Sequence, residues 1–115
     1  MRIEIRGRNV EVTDELREHV HRRFDRLGRQ VSEHATLDVE LREERNPSIT
    51  DDQICEVRMS VKGKFLTATE SSPEMVHSVK AAAEDLRRQV KRHRELRRRR
   101  WESRRASARM RGRPA

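Results

Sequence analysis

Residues 54–70 have the sequence ICEVRMSVKGKFLTATE. From Cys55 to Val61 every second residue is apolar, which is the period of a strand with one buried face. Lys62-Gly63-Lys64 then predicts a tight hairpin, and a second strand follows it. The facing of that second strand stays open, because either the row that contains Leu66 or the row that contains Phe65 can point inward.

Three more elements are predicted on the N-terminal side of this hairpin. Residues 2–6 alternate between polar and apolar, which favours a strand, and residues 37–42 do the same. Between them Thr13 is a good N-cap for a helix of about four turns. Gly28 stands where the C-terminal cap of that helix belongs.

A second helix is predicted on the C-terminal side, ending near Leu96. Its start has two possible registers, since Ser71 with Glu74 fits a capping box and Ser72 with Pro73 fits an N-cap followed by proline. Apolar residues recur at helical spacing along it, and His93 can extend the stripe: Val76, Val79, Ala83, Leu86 and Val90. The element order β-α-β-β-β-α predicts an α+β fold in which two helices pack on one face of a four-stranded sheet.

The positive charge is concentrated at one end of the chain. The 115 residues include 28 Lys and Arg against 20 Asp and Glu, for a net charge of +8. Residues 1–86 hold 14 basic and 18 acidic side chains, a net of −4, whereas residues 87–115 hold 14 and 2, a net of +12. A localised basic segment is typical of proteins that bind polyphosphate chains, because each phosphate contact releases condensed counterions.

Composition limits the class of protein. With 32% hydrophobic and 42% charged residues, the chain predicts one domain with a small core. Cys55 is the only cysteine, so no intramolecular disulfide can form and nothing indicates an oxidising compartment. No apolar run approaches the ~20 residues that span a bilayer, and the N-terminus does not have the pattern of a signal peptide. We therefore expect a cytoplasmic protein without a membrane partner.

The second helix carries the strongest functional signal. Its basic side chains cover about three-quarters of the helix circumference and leave the apolar stripe for the core. They are Arg87, Arg88, Lys91, Arg92, Arg94, Arg97 and Arg98. Arginine forks match phosphate geometry, and guanidinium planes stack on unpaired bases. A solvated face kept cationic for solubility usually mixes both signs, and only Glu95 interrupts this one, so the helix predicts nucleic-acid binding.

Residues 97–115 are predicted to form a flexible, arginine-rich tail after a domain at residues 1–96. The arginines from Arg97 to Arg100 repel one another, and few residues beyond them can pack. Trp101 has two interpretations that the sequence leaves open. It can stack on a nucleic-acid base, or it can pack back on the domain.

No catalytic, cofactor or metal site is predicted. His19 and His21 stand two residues apart and so face different sides of their helix, and a lone cysteine does not complete a zinc site. The glycines form no phosphate-binding loop. We expect a protein that is not an enzyme and has no small-molecule substrate.

The opening of the chain resembles a known family. Residues 3–13, IEIRGRNVEVT, followed by Leu16-Arg17-Glu18, are similar to the start of the ribosome hibernation-promoting factors, also called ribosome-associated inhibitor or protein Y. The loop Glu44-Arg45-Asn46-Pro47, the hairpin and the helix at residues 75–96 continue the resemblance, which covers about residues 1–96. The family has the same β-α-β-β-β-α order.

The resemblance implies binding to the small ribosomal subunit and its 16S rRNA, in the channel that mRNA and the A- and P-site tRNAs would occupy. Translation would be blocked while the ribosome is preserved in dormancy. By position, Arg88, Arg92 and Arg94 stand where the family has basic residues in its second helix, and Arg22 and Arg23 lie in the corresponding stretch of the first.

Two departures from the family pattern are visible. Lys80 stands where members often have an acidic residue, and Asp85 stands where they often have Lys. Long members also carry a C-terminal domain that dimerises and pairs ribosomes, whereas this chain has the arginine-rich tail. The resemblance therefore implies a short, monomeric form.

Two other functions stay open on the sequence. Related sequences have been labelled modulators of a sigma factor, and the acidic body could dock on a basic protein, which would make the chain a protein-interaction regulator. The αβββα portion is also similar to the double-stranded-RNA-binding fold, which would make it a general RNA-binding module.

Overall fold

The computed structural model describes residues 1–111, with side chains through residue 108. The elements are β1 (Arg2–Arg8), α1 (Asp14–Phe24), a short 3-10 helix (Asp25–Arg29), β2 (Thr36–Glu43), β3 (Gln53–Val61), β4 (Lys64–Ser72) and α2 (Met75–Arg111). Their order is the predicted β-α-β-β-β-α.

The four strands form one sheet in the order β1-β2-β3-β4. β1 is parallel to β2, since α1 carries the chain back across the sheet between them, and the other two pairs are antiparallel. One row of the register joins Ile5, Val39, Val57 and Ala68. The predicted fold class is confirmed.

Both helices pack on the same face of the sheet and form the core with it. Val20 and Phe24 of α1 are fully buried there, as are Val79 and Leu86 of α2. Cys55 of β3 is fully buried in the same cluster, and burial raises the pKa of its thiol to about 12. The thiol is therefore neutral and packs as a small apolar side chain.

The hairpin decides which row of β4 faces the core. Leu66 and Ala68 are buried, whereas Phe65 is 58% exposed on the opposite face, where the Arg58 guanidinium lies 3.9 Å from its ring centroid. The loop between the strands consists of Lys62 and Gly63. Gly63 has φ +69°, a conformation that glycine adopts without steric cost.

The structure confirms the predicted start of α1 and corrects its predicted end. The Thr13 hydroxyl accepts a hydrogen bond from the Leu16 N–H at 3.2 Å, which confirms the N-cap. Gly28 is not a C-terminal cap, because α1 ends at Phe24 and the chain winds on as a 3-10 helix that buries Leu27. β1 continues beyond the predicted residues 2–6 to Arg8, and glycine fits at position 7 because a Cβ there would come 2.4 Å from the Val10 carbonyl oxygen.

The start of α2 follows neither of the two registers, because Pro73 precedes the helix and the Glu74 carbonyl oxygen accepts the first helical hydrogen bond, from the Ser78 N–H at 3.1 Å. The Ser72 hydroxyl accepts a hydrogen bond from the Glu74 N–H at 3.3 Å, and the helix begins at Met75. Val76, which was expected in the buried stripe, is instead 44% exposed. Met75 and Ala82 are buried instead, because the side of the first helical turn that carries Val76 lies beside α1 and solvent.

The helix α2 is longer than predicted. The sequence placed its end near Leu96, but the helix continues without a break to Arg111. No Gly or Pro occurs between Met75 and Arg111, and Arg and Ala are strong helix formers, so nothing in the local sequence stops the helix. Residues 112–115 of the predicted tail lie outside the described residues. The division into a domain and a tail therefore stays a prediction.

Candidate nucleic-acid interface

The rotation of α2 about its axis is fixed by its apolar stripe. Val79 and Leu86 are fully buried and Val90 is 1% exposed, all against the sheet. A helix anchored along one stripe presents its remaining faces in a fixed direction. The basic side chains from Arg87 to Arg94 are therefore presented by a rigid element.

All seven basic α2 residues that the sequence predicted for nucleic-acid contact are exposed. Six of them, without Arg97, form what we call the α2 basic surface: Arg87, Arg88, Lys91, Arg92, Arg94 and Arg98. None of them forms an ion pair with any side chain that the structure describes. Their charges are consequently balanced by solvent ions, which a phosphate chain can displace.

The α2 basic surface consists of two rows. Arg87, Lys91, Arg94 and Arg98 follow one another at intervals of four, three and four, so they lie above one another along one side of the helix. Arg88 and Arg92 form a second row at an interval of four, on the side away from the buried stripe. Two parallel rows of cations suit contact with successive phosphates of one strand.

The two predicted α1 residues are exposed at another level of the helix layer. Arg22 forms an ion pair with Glu18 at 3.2 Å and, together with Val76, lines a small cleft between the helices. Arg23 is exposed in the same turn. Arg87 lies eleven residues beyond Val76, about 16 Å along α2. The structure therefore does not bring the α1 pair and the α2 basic surface into one cluster.

The open face of the sheet differs from the helix layer, because many of its charges are paired. Arg42 contacts the carboxylates of both Glu40 and Glu56, and Arg2 contacts Glu4 at 3.1 Å. Internal pairing leaves less net charge for a phosphate partner. The helix layer is the better candidate interface.

The Trp101 side chain lies on the exposed surface of α2. Its side chain is 59% exposed, and the Arg105 guanidinium lies 4.9 Å from its ring centroid, one helical turn further on. It does not pack back on the domain. Whether it stacks on a base stays a prediction.

A groove beside the α2 basic surface was not predicted. Three segments that are far apart in the sequence form it: the loop before β2 with Val31, the β3–β4 hairpin with Val61 and Lys62, and α2 with His93 and Arg97. Its volume is about 680 Å³. The one available signal was the pair of lysines that flank Gly63, but their position relative to α2 depends on the tertiary fold.

The histidines have separate local surroundings. His19 lies 3.3 Å from the Val76 carbonyl oxygen, and His21 lies 3.2 Å from a carboxylate oxygen of Asp25. Within residues 1–111, no three His, Cys, Asp or Glu side chains come together as a metal site would require. Over the same range, no helix has both the length and the hydropathy to cross a bilayer.

Comparison with known proteins places the chain in a family. A family profile described as "Sigma 54 modulation protein / S30EA ribosomal protein" matches residues 3–98. The chain belongs to this family. The resemblance that the opening residues indicated is thereby confirmed.

Two curated relatives in this family are named ribosome hibernation promotion factor. The one from Picosynechococcus is 27% identical over 96 residues, and the one from Deinococcus radiodurans is 31% identical over 90 residues. The alignments cover 83% and 76% of this chain but 50% and 46% of those proteins. The chain thus spans about half the length of the curated relatives that it matches.

Solved structures share the fold. The N-terminal domain of Thermus thermophilus Protein Y has a TM-score of 0.70 at 26% identity, over 81% of this chain and 99% of that one. A ribosomal subunit interface protein from Coxiella burnetii has a TM-score of 0.70 at 17% identity, over 83% and 99% of the two chains. The second likeness concerns the fold alone.

Proposed function

We propose that this family member is a ribosome hibernation factor that binds the small ribosomal subunit through the α2 basic surface. It would lie against 16S rRNA in the channel for mRNA and tRNA, and would preserve inactive ribosomes by occupying that channel. The observation that carries the proposal is a row of exposed, unpaired cations on an anchored helix, in a chain whose relatives are named ribosome hibernation promotion factor. Occupancy alone would inhibit, without a chemical step or a cofactor.

The shape of the molecule supports this mode of action. Its principal extents are 72, 28 and 17 Å, so it is a narrow rod with α2 along its length. A rod with cations along one side can follow an RNA-lined channel and exclude other strands from it. Arg22 and Arg23 would add contacts at a second level of the same layer.

The charge distribution also favours one orientation on RNA. Residues 1–86 carry a net charge of −4 and residues 87–115 a net charge of +12. RNA therefore attracts the C-terminal part of α2 and repels most of the body, which orients the protein during encounter.

Co-sedimentation with purified small subunits tests the proposal. We expect the protein to sediment with them and to dissociate steeply with salt, with a log–log slope of about −4 for about six phosphate contacts. The double variant Arg88→Glu with Arg92→Glu should weaken binding by about tenfold or more, because two attractive contacts with phosphate become repulsive.

A control variant with the same change of net charge tests whether the position of the charges on α2 matters. Arg6→Glu with Arg8→Glu makes the same change of charge on exposed residues of β1, away from α2. This variant should bind nearly as well as the unaltered protein. Equal losses in both double variants would contradict the α2 basic surface as the contact.

Competition tests the occlusion of the channel. Bound protein should be displaced by excess initiator tRNA with mRNA, and should in turn reduce their binding to the subunit. Simultaneous binding of all three without loss of affinity would contradict occlusion. Equal affinity for arbitrary duplex RNA would instead favour a general RNA-binding module.

A second candidate function is regulation through a protein partner. The description of the family includes "Sigma 54 modulation protein", and the acidic body offers a surface for a basic protein. Nuclease treatment distinguishes the two, because recovery of the partner after digestion of RNA would favour a protein contact. Loss of recovery would favour the ribosome.

A further inference from the structure

The groove between α2, the β3–β4 hairpin and the loop before β2 has an apolar floor. Leu66 and Val90 close it from below, and Val31 and Val61 form partly exposed walls. Its volume of about 680 Å³ falls within the range of about 300–1,000 Å³ that is usual for small-ligand sites. A flat apolar group can therefore lie on the floor of the groove and lose water on the face that meets it.

The rim of the same groove is positively charged. Lys62 contributes from the hairpin, and Arg94 and Arg97 contribute from α2. No carboxylate lines the groove among the described residues, although the chain holds 20 Asp and Glu. An apolar floor with a cationic rim suits a ligand that combines a flat apolar part with an anion.

His93 is one of the polar residues that line the groove. Its Nε2 atom is buried and has no hydrogen-bond partner in the part of the chain that the structure describes. Leaving such an atom unsatisfied costs free energy, and a ligand with donor and acceptor groups can recover it. A nucleobase or a ribose carries such groups, whereas an aliphatic chain does not.

The groove is continuous with the α2 basic surface. Arg94 belongs to both, since it lies in the row from Arg87 to Arg98 and also lines the groove. A strand that follows this row therefore reaches the mouth of the groove at Arg94. Bases of a duplex are stacked and paired, so only an unpaired base can turn into the groove.

We propose that the groove takes one unpaired nucleotide of the bound RNA, with its base against Val31 and Val61 and its phosphate against Arg94 and Arg97. The inference rests on the proposed function, because the nucleotide belongs to the RNA that the α2 basic surface holds. The groove gives that surface a means to distinguish single-stranded from duplex RNA.

Titration of the full chain with a short RNA tests the groove. The probe is an adenosine pentanucleotide, compared with the same pentamer in which the central base is replaced by an abasic ribose. Amide resonances of Ser32 and Gly63 report on the groove, because both residues line it from elements other than α2. We expect both amides to shift with the intact pentamer and the abasic pentamer to bind there about tenfold more weakly, since it lacks the apolar contacts of the base.

The variant Arg97→Glu tests the phosphate contact. It should weaken binding measured at Ser32 and Gly63 about tenfold. Arg104→Glu makes the same change of charge on an exposed residue two turns further along α2, and it should change that binding by less than about threefold. Both substitutions are on exposed helical positions and leave the core intact.

The His93 ring provides a second measurement. Its pKa is lowered by burial and by the positive charges of Lys64, Arg97 and Arg100. A bound phosphate offsets that field, so the pKa of His93 should rise when the intact pentamer binds. The rise should be smaller in Arg97→Glu.

Four outcomes would overturn the proposal. They are equal binding of the intact and abasic pentamers, equal losses in the two arginine variants, equally tight binding of adenosine monophosphate, and equal displacement by a hexaglutamate peptide. The first two outcomes would show that RNA binds there by charge alone. The third would show that the groove takes a free nucleotide, and the fourth that it takes an acidic protein. Subunit co-sedimentation is measured separately, so the groove can fail while the proposed function holds, and the reverse is also visible.

Discussion

The helix α2 has two segments that are held in different ways. In residues 75–95, the packed segment, side chains such as Val79 and Leu86 are fully buried against the sheet. In residues 96–111, the projecting segment, every side chain that the structure describes is exposed. Tertiary packing holds the first segment helical, whereas the second depends on helix propensity and on local contacts such as that of Arg105 with Trp101.

Charge is distributed unequally between the two segments. The packed segment carries six basic and three acidic residues, a net of +3, and the projecting segment carries eight and one, a net of +7. The larger charge therefore lies where packing does least to fix its position. We expect the packed segment to choose the target and the projecting segment to add affinity with little selectivity.

The largest expected effect is a difference between the two segments in their contribution to the free energy of unfolding. Leu86→Ala should lower the free energy of unfolding by about 3 kcal/mol, because it opens a cavity in the core. Leu96→Ala, the same change at a side chain that is 43% exposed, should cost less than about 1 kcal/mol. Urea unfolding followed by circular dichroism measures both. Similar losses would show that the projecting segment is packed as firmly as the rest of α2.

The buried stripe is also where prediction from sequence succeeded. Val79, Leu86 and Val90 recur at helical spacing, and all three are buried as predicted. Alternation of apolar and polar residues likewise predicted the strands, because a strand with one face buried against helices has an apolar residue at every second position. Only the facing of β4 needed the structure, since both of its rows contain an apolar residue.

The ends of elements and the groove could not be predicted in this way. The exposure of Val76 and the 3-10 winding after Phe24 both depend on how α1 meets α2 and the sheet. The continuation of α2 past Leu96 lacks an apolar period, so periodicity has no signal for it. The groove joins residues about 30 positions apart in sequence, such as Lys62 and His93, which no local pattern relates.

Removal of residues 101–115 should have the second-largest effect. It deletes five arginines, among them Arg104 and Arg105, while the groove residue Arg97 is kept. Affinity for the small subunit should fall about tenfold at moderate salt, and the log–log salt slope should become less negative by about 0.7 for each deleted arginine that contacts a phosphate. The unfolding midpoint should not change. A loss of preference for the subunit over arbitrary RNA would assign target selection to the deleted segment.

A smaller effect is expected when glycine replaces one alanine in each segment. Ala82→Gly, at a fully buried position of the packed segment, should lower the free energy of unfolding by about 1–2 kcal/mol. Ala106→Gly, at an exposed position of the projecting segment, should leave global unfolding unchanged. It should instead reduce helical signal and speed amide hydrogen exchange around residues 103–108. A shift of the global midpoint by Ala106→Gly would contradict the separation of the two segments.

The smallest expected effect concerns His93, where the packed segment ends. Burial lowers its pKa below the usual 6.5, and the charges of Lys64, Arg97 and Arg100 lower it further. Between the folded pKa and 6.5 the unfolded chain binds more protons than the folded one, so the free energy of unfolding decreases as the pH is lowered through that window.

Other groups also titrate in this window, so the measurement is the difference in stability between the variant and the unaltered protein. His93→Gln should lose less stability on acidification from pH 7 to 5 than the unaltered protein. Added salt should reduce the difference without abolishing it, because screening removes the contribution of the three cations but not that of burial. An equal loss of stability in His93→Gln and the unaltered protein would mean that the His93 ring is solvated in the folded protein.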